Sequence, residues 1–186
     1  MSVLLPSVAK ELRRYVTARP VMRKYKAAAR RVDQTYLEMP TATDLSADFG
    51  KLVTRLRASE AEFRGIAAAF ARIRAPVALR SAHAKETDAL KLSARLLGLQ
   101  AGLFEEMGRA SADPAALRTV YERGQAERQG LAGRAHALQK AWATSVRTAL
   151  KRARLPLPWW IKEMLPGSQA PSSGHLTVAT LRRRGR

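Results

Sequence analysis

The chain has 186 residues, enough for one domain with a sizeable core, and 46% of them are hydrophobic but only 6% aromatic, a composition that favours helices over sheets. It contains no cysteine, which excludes disulfides, thiolate metal sites and a cysteine nucleophile. Its 34 basic and 15 acidic residues give a formal net charge of +19, more than solubility requires.

The first predicted helical segment runs from Leu5 to Tyr36, where apolar residues recur at alternating spacings of four and three. Arg19 interrupts this register. Pro20 cannot donate a backbone hydrogen bond, so we expect the segment to kink or break near Pro20. Pro40 ends it.

The second predicted helix has the clearest pattern in the chain. Its 4,3 spacing makes one apolar stripe, with Ser59 as the only polar member, and the helix ends at the residues before Pro76. The members of the stripe are Leu45, Phe49, Leu52, Leu56, Phe63, Ile66, Phe70 and Ile73.

The third predicted helix follows after almost no loop, with Pro76 in its first turn. It is apolar over a broad face, so we expect it to contact two neighbouring helices. Gly108 and the sequence "SAD" end it. The main apolar row is Leu92, Leu96, Leu99 and Leu103, and Leu90, Leu97 and Phe104 widen it.

The fourth predicted helix extends from Pro114 to about Arg154, with Asp113 as its N-cap. Three glycines, at 124, 130 and 133, either lower its intrinsic stability or allow close approach of another helix. Its stripe is Leu117, Tyr121, Gly124, Leu131, Ala135, Leu138 and Trp142, with Arg128 as the polar exception.

The prolines of "LPLP" end this helix, residues 159–165 form at most a short helical turn, and residues 167–174 are typical of a flexible linker. Long amphipathic segments with short connections indicate an all-α, elongated, antiparallel up-down bundle of three to four long helices. We expect a bundle domain over residues 1–166 and a loosely ordered basic tail over residues 167–186.

The sequence lacks the usual signatures of catalysis. No glycine-rich phosphate loop or nucleophile elbow occurs. His83 and Glu86 are three residues apart, but a di-metal bundle needs two Glu-x-x-His motifs and further carboxylates. We therefore expect His83 to make a surface or interhelical hydrogen bond, and the protein to be no enzyme and to use no metal or cofactor.

The positive charge is concentrated at the two ends of the chain. Residues 1–31 contain nine basic residues and one acidic residue, residues 140–186 contain ten and one, and residues 32–139 contain fifteen and thirteen. This layout favours a polyanion as partner, with nucleic acid first and an anionic membrane surface second. The predicted contacts are Arg13, Arg14, Arg23, Lys24, Lys26, Arg30, Arg31, Arg147, Lys151, Arg152, Arg154, Arg182, Arg183 and Arg184.

Two adjacent tryptophans, Trp159 and Trp160, follow the second basic region. Tryptophan is enriched at membrane interfaces, so the pair fits a peripheral membrane protein or another interface. Burial against the open end of the bundle is the favoured interpretation, because a large apolar side chain gains about 1.5–3 kcal/mol when buried. A further alternative is that the long stripes pair with helices of a second copy.

Residues 63–104 join two predicted helices through a short proline turn, and Leu79 and His83 stand near the start of the second. This segment resembles uncharacterised helical-bundle proteins of bacteria with GC-rich genomes. The resemblance implies a bundle, and export or lipid anchoring for many such proteins, but carries over no functional residue. The N-terminal sequence does not have the charge order of a signal peptide, so we expect a cytoplasmic protein unless an export signal lies upstream of a misassigned start.

Overall fold

The computed structural model describes residues 6–17, 23–25, 27–32, 45–158 and 161–162, and every regular element among them is helical. The protein is therefore all-α over this part of the chain. The helices are α1 (Pro6–Val16), α2 (Leu45–Ala71), α3 (Arg80–Arg109) and α4 (Pro114–Arg152), with a 3₁₀ turn over Val77–Leu79. Residues 23–25 and 27–32 are also helical.

The N-terminal segment has a definite helix boundary before the predicted kink. Helix α1 ends at Val16, and the Thr17 N–H still donates to the Arg13 carbonyl at 3.0 Å. Pro20 itself lies outside the described residues. Of the predicted apolar register, Leu12 and Tyr15 are buried and Val8 is half-buried, whereas the buried Val16 was not part of that register.

The apolar stripe of α2 is confirmed. Six of its predicted members are buried, Ile73 is half-buried, and Ser59 is half-buried where the stripe is interrupted. The predicted burial of the Leu45 side chain lies outside what the structure describes. The neighbouring Glu60 is buried instead, and it pairs with two arginines of the same helix. The buried members are Phe49, Leu52, Leu56, Phe63, Ile66 and Phe70.

The prediction that Pro76 lies in the first turn of the third helix is wrong. Pro76 has ψ 148°, an extended value, and precedes the 3₁₀ turn, so that α3 begins only at Arg80. The 3₁₀ turn is closed by the Leu79 N–H, which donates to the Pro76 carbonyl at 2.8 Å. Its Leu79 side chain is buried and fixes the entry of α3 into the core.

Helix α3 contacts two neighbours, as its broad apolar face predicts. It packs on both α2 and α4. Its most buried row differs from the predicted one, however, because Leu92, Leu96 and Leu99 are only half-buried. The deeper row combines large and small side chains: Leu90, Ala94, Leu97 and Ala101.

Both ends of α4 are closed by specific hydrogen bonds. The Asp113 carboxylate accepts from the backbone N–H groups of Ala115 and Ala116, at 2.9 and 3.2 Å, which confirms it as the N-cap. At the other end Arg154 has φ 52°, in the left-handed region. There the Leu155 N–H donates to the Leu150 carbonyl at 2.9 Å, the hydrogen bond of a Schellman motif.

Gly124 allows a close approach between helices, whereas Gly130 and Gly133 do not take part in one. A Cβ built on Gly124 would lie 2.6 Å from Leu103 Cδ1 on α3. A Cβ on Gly130 or Gly133 would meet nothing within 4 Å. Of the two alternatives for these glycines, close packing therefore holds for Gly124 alone.

Candidate functional site

Two tyrosines attach the basic N-terminal segments to the last helix. Tyr15 of α1 accepts a hydrogen bond from Trp142 Nε1 at 3.0 Å. Tyr25, in the helical residues 23–25, accepts a hydrogen bond from Gln139 Nε2, also at 3.0 Å. Its ring packs edge-on against Phe63 of α2. Both N-terminal segments therefore contact the half of α4 that leads into its basic end.

The predicted polyanion contacts that the structure describes are all solvent-exposed. These ten residues are named the basic surface below: Arg13, Arg14, Arg23, Lys24, Arg30, Arg31, Arg147, Lys151, Arg152 and Arg154. The remaining predicted residues lie outside the described part of the chain: Lys26, Arg182, Arg183, Arg184, Trp159 and Trp160.

The basic surface is poorly neutralised by the protein's own acids. Arg31 pairs with Glu62 of α2. No carboxylate among the described residues lies within ion-pairing distance of Arg147, Lys151 or Arg152 at the end of α4. Uncompensated cations on neighbouring segments add their fields, so this region attracts anions from solution.

A groove of about 630 Å³ lined mainly by α2 and α3 contains basic side chains that are neutralised by neighbouring acids. Its floor consists of small residues of α2 and α3. Its arginines and lysine each pair with an acidic residue within 3.6 Å. These pairs are Arg57 and Arg64 with Glu60, Lys91 with Asp88, and Arg95 with Glu127. The groove therefore has less uncompensated positive charge than the basic surface.

A polar cluster is buried where α1 meets the bundle. The Tyr15 hydroxyl lies 3.1 Å from His83 Nδ1 on α3 and accepts from Trp142 on α4. The His83 ring stacks on Phe70 of α2, with centroids 4.5 Å apart. The expected interhelical hydrogen bond of His83 is thus confirmed. Each of the four helices contributes one side chain to this cluster.

Glu86 belongs to this cluster and is completely buried, at 0% exposure. Neither of its carboxyl oxygens has a hydrogen-bond partner among the described residues. Burial raises the pKa of Glu86 to about 8, because a charge in an apolar interior loses its hydration. Near neutral pH the side chain is therefore mostly the uncharged acid.

The two other titratable members of the cluster are uncharged as well. Burial raises the pKa of Tyr15 to about 12; the hydrogen bond from Trp142 opposes this shift and Glu86 adds to it. Burial lowers the pKa of His83, and its interaction with the Ala71 backbone opposes that shift. The cluster is thus a neutral polar network at physiological pH.

This network does not form a metal centre in the described part of the chain. No group of three or more histidine, aspartate or glutamate side chains comes together there in a way that could hold a metal ion. His83 also uses Nδ1 in its contact with Tyr15. What the cluster can do is hold α1 in place and bind or release a proton.

Sequence reasoning missed the position of Glu86, although a signal was present. Glu86 lies seven residues after Leu79 and four before Leu90, both of which are fully buried. These spacings place Glu86 on the apolar face of α3. The partnership of Tyr15 with Trp142 had no such signal, because 127 residues separate the two.

The segment that carries the two tryptophans contacts the core through a different residue. Ile161, which directly follows Trp160, is 0% exposed, and Leu155 and Leu157 also pack against the core. The chain therefore turns back onto the bundle after α4. The predicted burial of the two tryptophans falls outside the described residues and stays a prediction.

Comparison with known proteins gives no relative from which a function could be transferred. No protein-family model, curated protein or solved structure matches this chain. Within the described residues, no helix combines the length and apolar character needed to cross a membrane. The all-α fold class is thus what is established for this chain, and its own residues are the basis for a functional proposal.

Proposed function

We propose that this protein is a non-enzymatic helical binding or scaffold protein that engages a polyanion, with nucleic acid favoured, through its basic ends. One observation carries the proposal. The two basic N-terminal segments contact, through Tyr15 and Tyr25, the half of α4 that leads to the C-terminal cations, so that the charges of the two chain ends act together.

The architecture we propose for this scaffold is an elongated, antiparallel up-down bundle. Three contacts support it. Phe49 near the start of α2 lies against Gly108 near the end of α3, and Phe70 at the end of α2 lies against His83 at the start of α3. Leu103 near the end of α3 lies against Gly124 in the first half of α4. Such a bundle carries the basic surface on its N-terminal segments and at the end of α4, where the backbone of a nucleic acid can contact it.

Binding of this kind is governed by phosphate contacts. Arginine and lysine displace counterions from the nucleic acid, so affinity falls steeply with salt, while exposed cations without base-reading motifs give little sequence preference. Arginine supplies most of the basic surface, and its planar guanidinium fits phosphate oxygens in a bidentate manner. We therefore expect nearly equal affinity for duplexes of different sequence.

The test compares two triple variants of equal net charge. One replaces Arg147, Lys151 and Arg152 by Gln, and the matched control replaces Arg109, Arg118 and Arg134, which are exposed elsewhere. Binding of a fluorescent duplex is measured over a series of salt concentrations. The first variant should reduce the slope of log affinity against log salt by about 0.9 per lost phosphate contact, and the control should leave it unchanged.

Two results would overturn the proposal. One is the absence of any nucleic acid binding at low salt. The other is an equal loss in both variants, which would show that only overall charge matters. Flotation with anionic vesicles, abolished by Trp159→Ala and Trp160→Ala, would favour the membrane alternative instead.

A further inference from the structure

We propose that docking of α1 onto the bundle takes up a proton at Glu86, so that the basic surface is assembled at lower pH and opened as the pH rises. This regulation rests on the function proposed above, because α1 carries Arg13 and Arg14 of the basic surface. The physical requirement is an ionisable group that is buried only when α1 is docked.

Helix α1 is attached beside that group. It is 11 residues long and buries Leu12, Tyr15 and Val16. Isolated helices of this length are marginal in water, so α1 depends on docking for its order. The Tyr15 hydroxyl lies 3.1 Å from His83 Nδ1, and Glu86 follows His83 by three residues, on the same side of α3. We infer that α1 covers this side of α3, so that undocking admits water to the buried acid.

The two states bind protons differently. In the docked state the acid has no hydrogen-bond partner among the described residues and is buried, and its pKa is raised to about 8. In the undocked state it is solvated and returns towards its ordinary value of 4.5. Between these values docking takes up one proton, so the docking equilibrium constant falls about tenfold per pH unit as the pH rises. Above about pH 8 both states are ionised and the constant no longer changes.

The other groups in the cluster define the pH range in which to look. Among the described residues, its titratable members are Tyr15 of α1 and His83 and Glu86 of α3, while α2 and α4 contribute Phe70 and Trp142. Because docking lowers the pKa of His83 from its ordinary value of 6.5, His83 changes its protonation on docking only below about pH 6.5. Tyr15 stays protonated until about pH 12. Glu86 acts alone between pH 6.5 and 8.

Hydrogen exchange of the full chain without nucleic acid measures docking directly. The readout is the protection factor of the Leu12, Tyr15 and Val16 amides, which is already corrected for the intrinsic pH dependence of exchange. In the wild type this factor should fall about tenfold per pH unit above pH 6.5 and level off near pH 8. In Glu86→Gln, which cannot ionise, it should be independent of pH.

The control is Glu122→Gln, an exposed acid on α4, which should keep the wild-type slope. Glu86→Met serves as a second non-ionisable variant if the glutamine variant does not fold. A wild-type protection factor that does not change between pH 6.5 and 8 would overturn the proposal, as would a folded Glu86→Gln or Glu86→Met variant that retains the slope.

This experiment separates the inference from the function on which it rests. A protection factor that does not change with pH, together with salt-sensitive duplex binding, would reject only the proton-linked docking. A protection factor that falls with pH, without duplex binding at low salt, would confirm the proton linkage and reject the polyanion as partner. When both hold, wild-type affinity at fixed salt should fall between pH 6.5 and 8, and the affinity of Glu86→Gln should fall less.

Discussion

Replacing Gly124 by alanine tests the packing of α3 against α4. The added methyl would lie 2.6 Å from Leu103 Cδ1, 3.0 Å from Cδ2 and 3.3 Å from Cγ, whereas carbon atoms prefer about 3.5–4.0 Å. Leu103 is buried and must change rotamer or push the helices apart, which costs about 1–3 kcal/mol. Alanine regains about 0.8–1 kcal/mol of helix propensity over glycine. The net result is a loss of roughly 1 kcal/mol of unfolding free energy.

The matched control is Gly130→Ala on the same helix, where the methyl meets nothing within 4 Å. That variant receives the propensity gain alone and should be stabilised by about 0.5–1 kcal/mol. The assay is urea unfolding followed by circular dichroism and by tryptophan fluorescence. Because propensity cancels between the two variants, their difference of about 1–3 kcal/mol is the packing cost. A Gly124→Ala protein as stable as Gly130→Ala would refute the close approach.

Three further variants test single contacts, all by the denaturant midpoint. Tyr15→Phe removes the hydroxyl that accepts from Trp142 Nε1 and contacts His83 Nδ1, and should cost about 1–3 kcal/mol; an unchanged midpoint would contradict the cluster. Asp113→Ala removes the N-cap of α4 and should cost about 1 kcal/mol, whereas no loss would mean that water replaces the carboxylate. Arg154→Gly relieves a left-handed residue and should gain about 1 kcal/mol, and a loss would contradict the Schellman geometry.

The sequence predicts the helices well because local physics determines their ends. Asp113 before Pro114 gives the start of α4, and the 4,3 stripe gives the buried face of α2. The start of α3 could not be predicted to the residue. Pro76 is compatible both with a first helical turn and with the extended residue before a 3₁₀ turn, and the burial of Leu79 decides between them.

The candidate site was only partly predictable, since its parts meet through tertiary packing. Composition shows that both ends are basic, but only the contacts of Tyr15 and Tyr25 with α4 show that they come together. Glu86 has the spacing of a buried residue and the chemistry of an exposed one. When residue type and spacing disagree, a prediction from sequence places a glutamate at the surface. Such disagreements concentrate at functional sites.

The contact between Tyr15 and Trp142 also bears on how the chain is made. The two residues are 127 positions apart, so α1 leaves the ribosome long before its partner on α4 exists. At translation rates of about 5–20 residues per second, about 6 to 25 seconds pass between them. During that time α2 and α3 can pair by local contacts, and α1 can reach His83 on α3 but not Trp142 on α4. The docking of the first helix synthesised is thus completed only after the last helix has been made, and until then a chaperone can act on the part of α1 that α4 will cover.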